Sequence, residues 1–167
     1  MNGSSTRIWV PIVCLCGLSI LARAQQQPVG SIRPPATPLV VHDPYFSIWS
    51  NVDRLTDGPT RHWTGVLQPL NGLVRVDTKT YRYLGNSDNS IPAMQETDRK
   101  ITPTRTVVTL QSPEIELSLM FLTPAFPDDL RAMARPITYL AWDVKSHDGG
   151  KHDVAIYLDA DGALATD

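Results

Sequence analysis

From residue 39 onward, apolar positions recur with a period of two in short runs separated by turn formers. That spacing alternates side chains between two faces and predicts β-strands, not helices. Residues 39–41 and 46–49 form two short β-prone runs, broken at Asp43-Pro44 because proline lacks a donor and restricts its predecessor. Residues 73–76 and 80–83 predict a hairpin turning at Thr78-Lys79, which would set Val76 opposite Tyr81 and Val74 opposite Tyr83. Residues 85–100 are polar and aperiodic, and read as a boundary or long surface loop. Alternation then returns: Ile115, Leu117, Leu119 and Phe121 share one face, and Gln111-Ser112-Pro113 joins that strand to residues 104–110. Residues 136–144 and 152–159 read as a further hairpin around Asp148-Gly149-Gly150, with Leu140, Trp142 and Val144 on one face and Val154, Ile156 and Leu158 on another. Residues 128–133 allow a single helical turn. These elements predict an all-β fold, an antiparallel β-sandwich.

The N-terminus follows another pattern. Residues 8–21 are almost continuously apolar, Arg7 precedes them, and Ala22-Arg23-Ala24 presents small residues where a signal peptidase reads. Residues 1–24 are therefore expected to be a signal peptide cleaved after Ala24, giving a secreted or periplasmic protein. The apolar run is shorter than the ~20 residues that a membrane span needs. Residues 25–37, rich in Gln and Pro, read as an extended lead-in.

Composition narrows the chemistry. Cys14 and Cys16 both lie in the expected signal, so the remainder has neither a disulfide nor a thiolate. Removing Arg7 and Arg23 leaves 13 basic against 17 acidic side chains, a net charge of −4, without a basic cluster. Nucleic acid and anionic membrane are thereby disfavoured as partners.

Candidate chemistry concentrates in residues 38–65, which hold Tyr45, Phe46, Trp49 and Trp63 together with Asp43, Asp53, Asp57, His42 and His62. Paired carboxylates, or a histidine beside one, can share acid and base duties. Asp43 before Pro44 and Asp57 in Thr-Asp-Gly-Pro suit turns equally well. The aromatics could stack on a sugar ring, floor a pocket or seat this segment on a neighbour. The four histidines show no ligand spacing, so no metal site is expected. The chain lacks a Gly-x-Ser-x-Gly elbow, a phosphate loop and a dinucleotide fingerprint, and no cofactor is expected. His147 and His152 read as solvated residues flanking the Asp148-Gly149-Gly150 turn.

Two blocks carry a family resemblance. The first spans residues 33–65, with DPYFSIWS and then TDGPTRHWTG. The second spans residues 104–159: TRTVVTL, IELSLMFLTPAFPDDL, RPITYLAWDV and YLDA, in that order. The chain resembles the N-terminal part of the secreted glutaminase A family. The resemblance implies a leading segment over residues 38–85 and the first part of a β-sandwich over residues 86–167, ahead of a helical-barrel domain that this chain lacks. It also implies membership of exported enzymes that hydrolyse glutamine to glutamate and ammonia. None of these residues matches a catalytic position of that family, so a non-catalytic N-terminal fragment is expected. Asp43, Trp49, Arg61, His62 and Trp63 are expected at a substrate-binding or domain-junction surface. Two alternatives stay open: a carbohydrate-binding β-sandwich module, and part of a glycoside hydrolase of similar architecture.

Overall fold

The computed structural model describes residues 34–165; the expected signal, residues 1–24, and most of the lead-in lie outside them. The described strands are β1 (Thr37–Val41), β2 (Ser47–Ser50), β3 (Leu70–Val76), β4 (Lys79–Leu84), β5 (Gln95–Thr102), β6 (Arg105–Gln111), β7 (Ile115–Leu122), β8 (Tyr139–Ser146) and β9 (Val154–Ala160). One helical turn, α1 (Leu130–Met133), precedes β8, and a 3₁₀ turn, Gly162–Leu164, follows β9. Every strand pairing is antiparallel. The strands form a β1-β2 ribbon, a three-stranded sheet in the order β4-β3-β9 and a four-stranded sheet in the order β5-β6-β7-β8. The fold is an all-β sandwich, as the period-two pattern predicts.

The two larger sheets bury their apolar rows in one core. Val74 and Val76 come from β3, Tyr83 and Leu84 from β4, Val108 and Leu110 from β6, and Ile115, Leu117, Leu119 and Phe121 from β7. The β1-β2 ribbon adds Leu39, Val40 and Ile48. It is fastened to the four-stranded sheet by polar bonds: the Thr106 hydroxyl donates to the Pro38 carbonyl at 2.7 Å, and Arg99 Nη1 donates to Thr37 Oγ1. Burying non-polar area drives the assembly, and the paired polar groups keep that burial from costing unsatisfied donors.

Three local expectations are corrected. The β3-β4 hairpin turns one residue earlier than its sequence suggests, pairing Val76 with Lys79 and Val74 with Tyr81. Asp77 takes the positive φ of 54° that this tight turn requires. Within residues 85–100, residues 95–100 are not loop but the start of β5, paired along β6. That strand was hidden because its half-buried positions include Glu96 and Arg99, so no apolar alternation marks it. Finally, β8 and β9 are not a hairpin. β8 pairs with β7 and β9 pairs with β3, so residues 147–153 carry the chain from one sheet to the other. The turn chemistry there is as expected, with Asp148 Oδ1 accepting from Gly150 N at 2.7 Å and Gly149 at φ 82°. Turn residues specify local bending and say nothing about which sheet receives the next strand.

Short-range expectations elsewhere hold. β6 and β7 meet through Ser112, whose backbone N–H donates to the Ile115 carbonyl at 2.9 Å. Asp129 caps α1 by accepting from Ala132 N at 3.0 Å. Leu140, Trp142 and Val144 on β8, with Val154, Ile156 and Leu158 on β9, are half-buried rows against the core.

Candidate functional site

The aromatic segment forms a surface from two loops. The first, between β1 and β2, is bent by Asp43: its Oδ1 accepts from Tyr45 N at 2.7 Å and from Phe46 N at 2.9 Å. Asp43 is thus committed to its own turn, the use its place before Pro44 suggested. The second loop crosses β2 where Trp49 and Arg61 exchange backbone bonds, Trp49 N to Arg61 O at 2.7 Å and Arg61 N to Trp49 O at 2.9 Å. The Arg61 guanidinium then folds onto the Gly65 carbonyl at 2.9 Å. Gly65 sits at φ 93°, where a side chain would be strained.

The two loops are joined at one oxygen. The Pro44 carbonyl accepts from Trp63 Nε1 at 2.6 Å and from His62 Nε2 at 2.9 Å. A carbonyl only accepts, so Nε2 carries the proton, and Nδ1 accepts from the Thr64 hydroxyl at 2.8 Å. Both imidazole nitrogens of His62 are therefore in use. The ring positions Trp63 and offers no free base to a substrate. Trp63 remains 61% exposed and Tyr45 91% exposed, with Val66 and Leu67 exposed beside them in sequence. Two loops held together at the Pro44 carbonyl thus present exposed aromatic and apolar side chains.

The structure places the five sequence-chosen residues as follows. Asp43, His62 and Trp63 gather about Pro44, while Trp49 and Arg61 pair through their backbones beneath. The Trp49 indole is half-buried, and its Nε1 has no protein partner among the described residues. Asp57 stays in its own turn, accepting from Arg54 N at 3.0 Å. This arrangement can stack against a ring or another apolar surface; it does not set a base beside a nucleophile.

Titratable groups elsewhere are more strongly perturbed. Glu114 accepts from Lys79 Nζ at 2.7 Å, from the Tyr81 hydroxyl at 3.0 Å and from the Ser112 hydroxyl at 3.0 Å. The lysine bond, aided by the hydroxyls, holds its carboxyl down to about 2 against the cost of desolvation. This carboxylate ties β4 to the β6-β7 turn, so it is a structural clasp between sheets. His152 is corrected too: it is not solvated but bridges Asp77 Oδ2 at 2.8 Å and Asp148 Oδ1 at 2.9 Å. Those two carboxylates, Asp148 foremost, raise its pKa. Sequence reasoning missed it because Asp77 lies 75 positions away.

Residues 10–95 match the family described as Domain of unknown function (DUF4964), and residues 104–167 match Domain of unknown function (DUF5127). The chain is 35% identical to "Glutaminase A" of Aspergillus oryzae (strain ATCC 42149 / RIB 40), over 92% of its own length and 23% of that protein's. It therefore spans about a quarter of the relative it matches. No solved structure matches it. With one family match covering more than half of the sequence and the second following in order, the chain belongs to the DUF4964 family and forms a glutaminase A-like N-terminal region.

Proposed function

We propose that this chain is the non-catalytic N-terminal part of an exported glutaminase-like hydrolase, whose reactive groups lie on a helical-barrel domain beyond the 167 residues. The observation carrying this reading is the 35% identity to Glutaminase A, which runs through both family regions. The geometry supports the division of labour. Amide hydrolysis needs an activated nucleophile or water and donors for a developing oxyanion. His62, the best placed of the five candidates, has both nitrogens committed to Pro44 and Thr64. In this reading the face built from Tyr45, Trp63, Val66 and Leu67 seats the sandwich on the barrel, and export follows from residues 1–24.

The test is ammonia release from glutamine by the longest natural form of the protein and by this chain alone. Release by the long form only is expected. Release by this chain alone, or sugar release from a glycan panel in place of ammonia, would overturn the reading. The exposure of Trp63 and Tyr45 favours one second reading, a carbohydrate-stacking platform. Saturable glycan binding by this chain that is lost in Trp63→Ala would establish it instead.

A further inference from the structure

Away from the aromatic face, a cleft of about 160 Å³ opens where the end of β1, the β5-β6 turn, the end of β7 and α1 converge. It has room for about five waters, the volume of a ligand with roughly half a dozen non-hydrogen atoms. One wall is apolar, with Leu39, Phe121 and Met133; the other carries Thr102, Thr104 and Arg105. The polar wall is fixed in place. The Thr102 hydroxyl donates to the Arg105 carbonyl at 3.0 Å, and the Thr104 carbonyl accepts from Thr123 N at 3.0 Å.

The charge of this cleft is unbalanced. Among the described residues the Arg105 guanidinium has no hydrogen-bond or ion-pair partner, and no acidic side chain lines the cleft. His42, also in the lining, is set by a relay: Val41 N donates to Thr123 Oγ1 at 3.5 Å, and Thr123 and Thr138 share a bond at 2.9 Å. Thr138 in turn meets His42 Nε2 at 3.0 Å. Burial lowers the pKa of His42, and the nearby Asp43 opposes this only in part. The ring is therefore neutral near pH 7, and Arg105 supplies the positive charge.

We propose that this cleft binds a small organic carboxylate. Its carboxylate would lie on the Arg105 guanidinium and the Thr104 hydroxyl, with a short apolar body against Phe121, Leu39 and Met133. A planar guanidinium with parallel donors matches a carboxylate, and the apolar wall selects against a bare inorganic anion. None of the cleft's residues belongs to the aromatic face.

The experiment is an amide-resolved NMR titration of this chain with butyrate, butyramide, acetate and inorganic phosphate. Butyrate is expected to give saturable shifts at Thr104, Arg105 and Thr123. Butyramide, its uncharged isostere, is expected to give none, and acetate and phosphate to bind at least threefold more weakly. Arg105→Gln, at an exposed position, should weaken butyrate at least fivefold while leaving the remaining spectrum unchanged. Non-saturable shifts, equal binding of butyramide or phosphate, saturation mapped elsewhere, or an unaffected Arg105→Gln variant would each overturn the proposal.

Discussion

The Trp142 indole N–H donates to the Tyr83 hydroxyl at 3.1 Å, joining β8 of one sheet to β4 of the other through the core. Tyr83 passes its own hydrogen to the Tyr157 carbonyl on β9, at 2.9 Å. Since β3 lies between β4 and β9, the phenol ring has to cross β3, and it does so over Gly72. A Cβ at position 72 would overlap the Tyr83 ring. The absence of a side chain at Gly72 is thus what lets one phenol connect three strands. Burial pushes the Tyr83 hydroxyl up to about 12, so it stays a donor at every ordinary pH.

Tyr83→Phe should therefore cost about 1–3 kcal/mol, because it leaves the Tyr157 carbonyl and the Trp142 indole unpaired in the core. Gly72→Ala should cost about as much through overpacking. Urea unfolding of both variants and of Gly72→Ala/Tyr83→Ala checks this. The double variant should be less destabilised than the sum of its parts, since removing the ring removes the clash.

Acid should release the Glu114 clasp. Its folded carboxyl sits near 2 against an ordinary 4.5, so its stabilisation is complete above pH 4.5 and disappears as pH falls toward 2. Urea midpoints measured against pH should show wild type above Glu114→Gln at pH 6, with the gap closing over that acid window. A gap that stays constant with pH would contradict the assignment.

His152 works in the opposite sense. Its pKa is raised by Asp148 and Asp77, so its charged bridge is fully formed below pH 6.5 and fades as pH rises through the elevated value. A ¹H NMR titration of the imidazole should give a midpoint above 6.5, falling in Asp148→Asn. His152→Gln should lose most stability, relative to wild type, on the acidic side of that midpoint.

Arg99 and Glu96 form a pair on β5 with only 7% and 5% of their side chains exposed. Glu96 also accepts from Leu55 N at 2.9 Å, and Arg99 donates to the Asp53 carbonyl at 3.1 Å. Arg99→Ala removes the guanidinium bonded to this buried carboxylate and should cost about 3–5 kcal/mol. Limited proteolysis should find faster cleavage within residues 51–57, whose backbone the pair restrains.

Trp63 offers a contrast. It is largely exposed, and its indole donates one bond, to the Pro44 carbonyl. Trp63→Ala should change the stability of this chain by about 1 kcal/mol or less. If the aromatic face seats a barrel domain, the same substitution in a longer form should lower its thermal midpoint by several degrees. Scanning calorimetry of both forms tests this.

What the sequence disclosed follows from the range of each signal. The alternation from Ile115 to Phe121 survives because β7 lies inside its sheet, so one full face meets the core. β5 was illegible because an ion pair takes inward places that apolar residues usually mark. Asp148-Gly149-Gly150 was read as a bend and is one, yet a bend does not disclose that β9 crosses to β3. The loop residues Asp43, His62 and Trp63 could be singled out by their crowding. Their meeting at the Pro44 carbonyl could not, because the bonds span 18 and 19 positions without a periodic pattern to reveal them.

The pairing of β3 with β9 also sets an order of events on the ribosome. β3 leaves the exit tunnel with only β4 to lean on, and its other flank waits until residues 154–160 have been translated. Contacts so distant along the chain close slowly and leave backbone donors open meanwhile. Nascent molecules released before residue 154 would keep that flank bare, a ready template for strand exchange between neighbours.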